Sequence, residues 1–161
     1  MIQEKRLIKR FKRGDASVLR DIYGLYKDDL VTLASALLHD KTTAEDAVHD
    51  VFAKLLDRQK TLKIRQNLKQ YLMTAVANSA RQHHRLQKKS AEVSLSSEVI
   101  SEAQTQSSLE STMLANEQQQ QLKEALSTLP YEQREVILLR HFSDLKFKTI
   151  ASMLNVSINT I

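Results

Sequence analysis

The 161-residue chain is 42% hydrophobic, which suffices for one domain of ordinary size or two small ones with packed cores. Its formal net charge is +5, and the absence of cysteine excludes a disulfide framework and a thiolate metal site. No segment resembles a signal peptide or a membrane span, so we expect a cytoplasmic protein without membrane insertion. Two glycines, one proline and short apolar runs of helical period predict an all-α fold.

Four helices are predicted in residues 1–89. The first spans 2–13, where Gly14 should end it and Asp15 should cap the second helix, which extends to about residue 38. Thr43 is expected to open a third helix, with Asp46 completing a capping box. A fourth is expected from about 67 to 88. Its apolar first half joins the other apolar stripes in a predicted core comprising Leu7, Ile8, Phe11, Leu19, Ile22, Tyr23, Tyr26, Leu30, Leu33, Leu37, Ala44, Ala47, Val48, Val51, Leu55, Leu56, Leu68, Tyr71, Leu72, Ala75 and Val76.

The composition changes after residue 89. Residues 90–121 contain eight Ser and five Glu but no Lys or Arg, and too few large apolar side chains to close a core. We therefore predict a flexible acidic linker at 90–112 that joins two small helical domains, 1–89 and 113–161. The rival interpretation is one long helix over 109–129.

A helix-turn-helix is predicted near the end of the chain. Asp144 is a candidate cap between its first two helices, Asn155 is expected to end the second, and Ser157 is expected to cap a third that contains Thr160. The apolar positions of the helix pair are Val136, Ile137, Leu139, Ile150, Met153 and Leu154.

A helix that reads base edges in the major groove needs about ten residues or more, and the sequence continues for about one turn after Ser157. We therefore expect an incomplete reader of duplex DNA. Leaving Val136, Ile150 and Ile161 uncovered would cost on the order of 1.5–3 kcal/mol for each side chain, so we expect a loose or differently packed second domain.

Charge is divided unevenly along the chain. Residues 1–89 carry 19 Lys and Arg against 10 Asp and Glu, and residues 90–161 carry 5 against 9, so the halves have net charges of +9 and −4. A basic half of this kind favours a polyanionic partner, of which nucleic acid is the leading candidate.

The third helix has an acidic face opposite its apolar stripe. Glu45, Asp46, His49 and Asp50 are neighbours at helical spacing, with Phe52 at the margin. Such a face can dock a partner, or it can be an ordinary solvated surface. It can also bind a metal, although one exposed helix lacks a second element to complete the ligand shell. A docking surface is the favoured interpretation, and no cofactor or metal is predicted.

The fourth helix has a basic face. Cationic and amide side chains recur there at helical spacing and can follow phosphates and contact unstacked bases. Basic residues at a helix end also complement the helix dipole, but four cations in the last turns exceed that need. The set comprises Asn78, Arg81, Gln82, Arg85, Lys88 and Lys89, with Lys60, Lys63 and Arg65 in the preceding loop.

Evidence for catalysis is thin. There is no glycine-rich loop and no recognised local pairing of a nucleophile with a base, and the histidines are dispersed at 39, 49, 83, 84 and 141. We expect a protein that is not an enzyme.

Together these segments resemble the extracytoplasmic-function (ECF) sigma factors, which direct bacterial RNA polymerase to promoters. The stretch from Ala44 to Phe52 is similar to the family's polymerase-docking helix, with His49 in the place of the usual Gln. The resemblance implies that core RNA polymerase is bound by Glu45, Asp46, His49, Asp50 and Phe52. It also implies that an anti-sigma factor is a probable partner.

The fourth helix is similar to the family's promoter-melting helix. Tyr71 stands for the usual Trp and Gln82 for the usual Asp, and Asn78 matches. The family mechanism implies that a base of the −10 element is flipped into a pocket between this helix and the loop at 60–66. The −10 promoter contacts implied are Lys63, Arg65, Tyr71, Asn78, Arg81, Gln82, Arg85 and Lys88, and the linker is implied to thread toward the RNA exit channel.

Residues 129–160 are similar to the family's second domain, with Thr149 in place of the usual Glu. The resemblance implies contacts with the −35 element by Lys146, Lys148, Ser157, Asn159 and Thr160. In relatives the −35-reading helix follows Thr160. Its absence is compatible with a shortened form of an ordinary sigma factor or with a natural protein that binds polymerase without reading the −35 element.

Two other functions remain open at this stage. One is a polymerase-binding antagonist that keeps the docking face but cannot open promoters. The other is a helix-turn-helix regulator of duplex DNA, which would leave the basic fourth helix and the acidic linker without a role. Affinity for single-stranded −10 DNA separates the sigma factor from both.

Overall fold

The structure is a computed structural model that describes residues 2–62, 64, 67–94 and 113–161. All regular elements in those ranges are helical, as predicted. They are α1 (Ile2–Lys12), α2 (Ala16–Leu38), α3 (Lys41–Asp57), α4 (Leu68–Ser94), α5 (Met113–Ser127), α6 (Tyr131–Ser143), α7 (Phe147–Leu154) and a 3₁₀ turn (Ile158–Thr160). We call α1–α4 the first domain, and α5–α7 with the 3₁₀ turn the second domain.

Local capping explains the corner between α1 and α2. Gly14 adopts a φ of 93°, a left-handed conformation that glycine accepts without strain. The Asp15 carboxylate then accepts a hydrogen bond from the backbone N–H of Ser17 at 3.1 Å, and it pairs with Arg10 at 2.7 Å. The predicted stop and cap are both confirmed.

The corner between α2 and α3 differs from the prediction. His39 ends α2 in the left-handed conformation, with a φ of 58°. The N-cap of α3 is Asp40, whose carboxylate accepts from the N–H of Thr43 at 2.6 Å. The predicted capping box that starts at Thr43 is therefore wrong. Both residue types cap well, and Asp40 is the one whose extended backbone precedes the helix.

The core of the first domain lies where α2 packs against α1, α3 and α4. Its largest side chains, each at most 2% exposed, are Phe11, Ile22, Leu30, Leu33, Leu37, Leu55, Leu68, Leu72 and Met73. Burying each one is worth about 1.5–3 kcal/mol. All of them except Met73 belong to the predicted stripes. Leu56, also predicted to be in the core, is 44% exposed, so this part of the prediction is wrong.

Helix α4 continues to Ser94, past its predicted end near Lys88. Residues 95–112, which make up most of the predicted flexible linker, lie outside the described residues.

The two domains share one core. Helix α6 packs on α2 and α4, and its buried Leu138 and Leu139 join the same apolar cluster as Leu37 and Leu72. Tertiary packing therefore adds a direct contact between domains that the sequence treats as joined only by a linker.

The second domain is better packed than expected. Ile150 is fully buried, while Val136 and Ile161 are partly buried against the core. The expectation that Ile150 would be uncovered is therefore wrong, because α7 folds back on α6. Asn155 ends α7 with a φ of 56° and the Ser157 hydroxyl caps the 3₁₀ turn, both as predicted. Asp144 is the residue that ends α6, with a φ of 52°.

Candidate nucleic-acid interface

The acidic face of α3, defined as Glu45, Asp46, His49 and Asp50, lies on the solvent side of the first domain. Asp46, His49 and Asp50 are exposed and Glu45 is half-buried. Asp40 holds the start of α3, which places these side chains at successive turns of a rigid helix. The face therefore offers adjacent carboxylates and one imidazole to a partner.

An aromatic cluster supports this face from below. Phe52 is 6% exposed and contacts Tyr23 edge-on, with the ring centroids 5.0 Å apart. The His49 ring stacks on Tyr23 at 5.9 Å, and the Lys27 ammonium lies 5.6 Å from the Tyr23 centroid. Phe52 thus belongs to the core beneath the predicted docking surface, because the ring of Tyr23 covers it.

Within the part of the chain that the structure describes, no group of three or more His, Asp or Glu side chains is arranged to hold a metal ion.

The basic face of α4 is defined as Asn78, Arg81, Gln82, Arg85 and Lys88. All of these side chains are exposed except Arg81, which is half-buried. Gln82, Arg85 and Lys88 line a shallow groove along the helix together with Leu86 and Lys89. Tyr71 precedes these residues on α4. It is half-buried and packs against the core. The predicted contacts Lys63 and Arg65 lie outside the described residues.

Arg81 is held by partners on both sides. Its Nη1 donates to Asn78 Oδ1 at 3.2 Å, and its Nε donates to Glu135 Oε2 of α6, also at 3.2 Å. Its Nη2 forms an ion pair with the other oxygen of Glu135, whose side chain is only 1% exposed. Burial raises the pKa of the Glu135 carboxyl more than Arg81 lowers it.

Two more residues of α6 join it to the first domain. The Tyr131 ring stacks on His84 with a centroid separation of 4.1 Å and an interplanar angle of 15°. Arg134 donates through Nη2 to the carbonyl oxygen of Leu37 at 3.3 Å. The Tyr131 hydroxyl and Arg134 Nε are buried and have no hydrogen-bond partner among the residues that the structure describes.

Sequence reasoning missed this contact. The polar residues Tyr131, Arg134 and Glu135 precede the apolar run at 136–139, and periodicity gives them no reason to be buried. The one available signal is spacing, because they recur at three- and four-residue intervals and therefore share a helix face.

Sequence reasoning also missed a long-range cap at the start of α4. A carboxylate oxygen of Glu4, on α1, accepts a hydrogen bond from the backbone N–H of Leu68. Asn67 contributes locally by accepting from the N–H of Gln70 at 2.7 Å. A residue of α1 thus helps to fix the start of α4.

The predicted −35 contacts lie on the two last elements. Lys146 immediately precedes α7, Lys148 lies in its first turn, and Ser157, Asn159 and Thr160 belong to the 3₁₀ turn and its cap. All five are exposed. The structure therefore leaves the whole set accessible to solvent.

None of the helices in the described ranges is both long enough and apolar enough to cross a membrane.

Two family profiles match the chain in the order of its domains. The profile described as Sigma-70 region 2 matches residues 22–90, and that described as Sigma-70, region 4 matches residues 119–161. Together they cover the acidic face, the basic face and the candidate −35 residues. The chain belongs to the sigma-70 family, in its ECF group.

Relatives with known names agree with this assignment. The ECF RNA polymerase sigma factor SigW of Bacillus subtilis (strain 168) is 25% identical over 166 residues, which cover 98% of this chain and 88% of that protein. The RNA polymerase sigma factor SigV of the same organism is 26% identical over 136 residues, which cover 84% of this chain and 77% of that protein. This sigma factor accordingly directs bacterial RNA polymerase to promoters.

Solved structures agree as well. The sigma factor RpoE from Bartonella quintana, in complex with the anti-sigma factor NepR, matches with a TM-score of 0.64 and 26% identity over 88% of this chain and 85% of that one. CnrH, in complex with the cytosolic domain of CnrY, matches with a TM-score of 0.64 over 98% of this chain and 86% of that chain. Its sequence identity is 15%, so this likeness supports the fold alone.

Proposed function

We propose that this sigma factor docks on core RNA polymerase through the acidic face of α3 and reads the −10 element through the basic face of α4. The observation that carries the proposal is the pair of exposed faces of opposite charge on neighbouring helices, both within the span matched by Sigma-70 region 2. Polymerase supplies the catalysis, so the sigma factor acts in the cytoplasm without chemistry of its own.

The charge of the acidic face supports a basic surface as its partner. Asp46 and Asp50 lie one helical turn apart, and the stack of His49 on Tyr23 limits the rotamers of the imidazole between them. A preorganised face of this kind loses less side-chain entropy on docking than three free surface residues would. Complementary charge across such an interface mainly sets orientation and the association rate.

The chemistry of the basic face suits single-stranded DNA. Arg85 and Lys88 can neutralise phosphates, while Asn78 and Gln82 present amides that can hydrogen-bond to the edge of an unstacked base. Lys63, Arg65 and Tyr71 would complete the pocket as the family resemblance implies. Contacts with the −35 element are assigned to Lys146, Lys148, Ser157, Asn159 and Thr160, which are exposed donors and cations suited to phosphates.

An anti-sigma factor is a proposed partner. RpoE and CnrH are similar in fold and were both solved in complexes, RpoE with an anti-sigma factor and CnrH with the cytosolic domain of CnrY. The exposed apolar side chains of the second domain, Ile137, Phe147, Val156 and Ile158, are suited to bind a helix of such a protein.

Binding to core RNA polymerase tests the docking proposal. Reversing Asp46 and Asp50 to Lys should weaken binding at least about tenfold, because each change replaces an attraction with a repulsion. The matched control is Asp57→Lys, an exposed acid at the end of the same helix that should leave binding unchanged. Equal affinity of the reversed variant and the control would exclude this face as the docking site.

Promoter-directed transcription tests the proposed reading of the −10 element. Asn78→Ala should reduce transcription while leaving polymerase binding intact, because the amide contacts DNA and not polymerase. Lys54→Ala, an exposed cation on α3, is the control. If the unaltered chain binds polymerase but supports no transcription from any promoter, the antagonist function replaces the initiation factor.

A further inference from the structure

The basic half of α4 carries a single large apolar side chain. Leu86 is 58% exposed, although its neighbours along the helix are the exposed cations Arg85, Lys88 and Lys89. Residues 81–90 contain no other apolar side chain. A solitary exposed leucine is common on protein surfaces and needs no partner by itself. The informative observation is therefore the position of Leu86, within a face whose other side chains suit DNA.

Leu86 lines a shallow groove together with Gln82, Arg85, Lys88 and Lys89. Gln82 precedes Leu86 by four residues, so their side chains are neighbours on the same side of the helix. The groove thus offers one amide and one apolar contact beside side chains that attract phosphates.

The groove lies on a part of α4 that α6 leaves open. Leu86 follows His84 by two residues, which at about 3.6 residues per turn places the two on nearly opposite sides of the helix. The ring of Tyr131 on α6 stacks on His84, whereas Gln82 and Leu86 are exposed. A DNA strand can therefore reach the groove in the arrangement that the structure shows.

The pair of Gln82 and Leu86 fits thymine. Thymine presents an O4 acceptor beside its C5 methyl group, and it is the one DNA base that has a methyl there. The Gln82 amide can donate to O4, and Leu86 then contacts the methyl. Cytosine offers an amino donor in place of O4 and has no methyl. We propose that Leu86 is a specificity-determining residue that favours thymine in the DNA strand bound along α4, a step that rests on the proposed function of that helix.

The expected preference is modest. Contacts of Arg85, Lys88 and Lys89 with phosphates add affinity for every sequence alike. Removing one methyl-sized group from water against Leu86 changes affinity by a factor of about four. Leu86 therefore biases the choice of base while the cations supply most of the binding, and the contact has to be measured as a ratio of affinities.

Replacement of thymine by uracil isolates the methyl group, because the two bases differ only at C5. The full chain is titrated with two single-stranded DNA oligonucleotides of equal length, one of deoxythymidine alone and one of deoxyuridine alone. Fluorescence anisotropy gives both affinities at one fixed salt concentration. The wild-type chain should bind the thymidine oligonucleotide about fourfold more tightly. Leu86→Ala should bring the ratio close to one.

Two variants serve as controls. Leu25→Ala makes the same truncation at a leucine of α2 that is 62% exposed, and it should keep the wild-type ratio. Gln82→Ala should weaken binding of both oligonucleotides by the same factor, because both bases have O4. Alanine is a good helix former and Leu86 is exposed, so Leu86→Ala should leave α4 folded.

Two outcomes overturn the proposal. Equal affinity of the wild-type chain for the two oligonucleotides would mean that no side chain senses the methyl group. An unchanged ratio in Leu86→Ala would mean that another residue senses it. Failure of the proposed function of α4 looks different: the double reversal Arg85→Glu/Lys88→Glu would leave the affinity for both oligonucleotides as it is in the wild-type chain.

Discussion

Replacing Tyr131 by Phe should stabilise the packing of α6 on the first domain of this sigma factor. The Tyr131 side chain is 7% exposed, and its hydroxyl has no hydrogen-bond partner within the described ranges. Burial raises the pKa of the phenol. Burying an unpaired hydroxyl costs about 1–3 kcal/mol. Phe removes that cost and keeps the ring that stacks on His84 at 4.1 Å, so we expect a gain of about 1 kcal/mol.

Urea denaturation measures this gain, and thermal unfolding should show a rise in Tm of about 2–4 °C for a chain of this size. Slower amide exchange in α6 would locate the effect at the contact between domains. Tyr26→Phe is the control, because Tyr26 is half-buried and lies outside the α6 contact, so its loss should change stability by less than about 0.5 kcal/mol.

A loss of stability in Tyr131→Phe would refute the reasoning, since it would mean that the hydroxyl makes a favourable hydrogen bond. Tyr131→Ala distinguishes the hydroxyl from the ring. Removing the ring should cost about 3–5 kcal/mol if α6 stays docked and leaves a cavity. A much smaller cost would mean that α6 releases from α4 and that the ring contributes little to the contact between the domains.

Three further outcomes follow from the structure. Glu4→Ala should lower stability by about 0.5–2 kcal/mol in urea denaturation because the N–H of Leu68 loses its acceptor, and Glu4→Gln should cost less. Asp40→Ala should lower the free energy of unfolding by about 1 kcal/mol in the same assay, because Asp40 caps α3. An equal loss in Thr43→Ala would mean that Thr43 is the cap. Stability should also depend on pH: burial raises the pKa of Glu135 above its ordinary value of 4.5, so the folded chain binds the proton more tightly than the unfolded chain. The contribution of Glu135 to the free energy of unfolding should therefore fall as pH rises through that raised pKa, and urea denaturation of Glu135→Gln should lack this part of the pH dependence.

Much of the fold follows from local pattern. Periodicity placed the helices because a buried stripe recurs every three or four residues whatever lies opposite it. Gly14, Asp15, Asn155 and Ser157 were predictable as stops and caps because their conformations and hydrogen bonds involve neighbours within a few residues. Local pattern erred at Thr43, since Asp40 and Thr43 are both competent caps and the backbone at the corner selects between them.

The exposed parts of the candidate site were predictable for the same reason. Asp46, His49 and Asp50 lie opposite the apolar stripe of α3, and a residue opposite a buried stripe faces solvent. Phe52 was harder to interpret because a position at the margin of a stripe is buried or exposed according to its neighbour. That neighbour is Tyr23, on a different helix.

By itself, the sequence determined the helices, the charge of their faces and, through ordered motifs, the family. Only the tertiary structure decided that Glu4 caps α4 across 64 residues and that Arg81 pairs with Glu135 across 54. Contacts at such separations depend on how whole helices pack, and a periodic pattern carries no information about which partner a polar side chain meets. The packing of α6 on the basic face is therefore a property of the folded chain, because it balances apolar burial against polar groups that have no partner among the described residues.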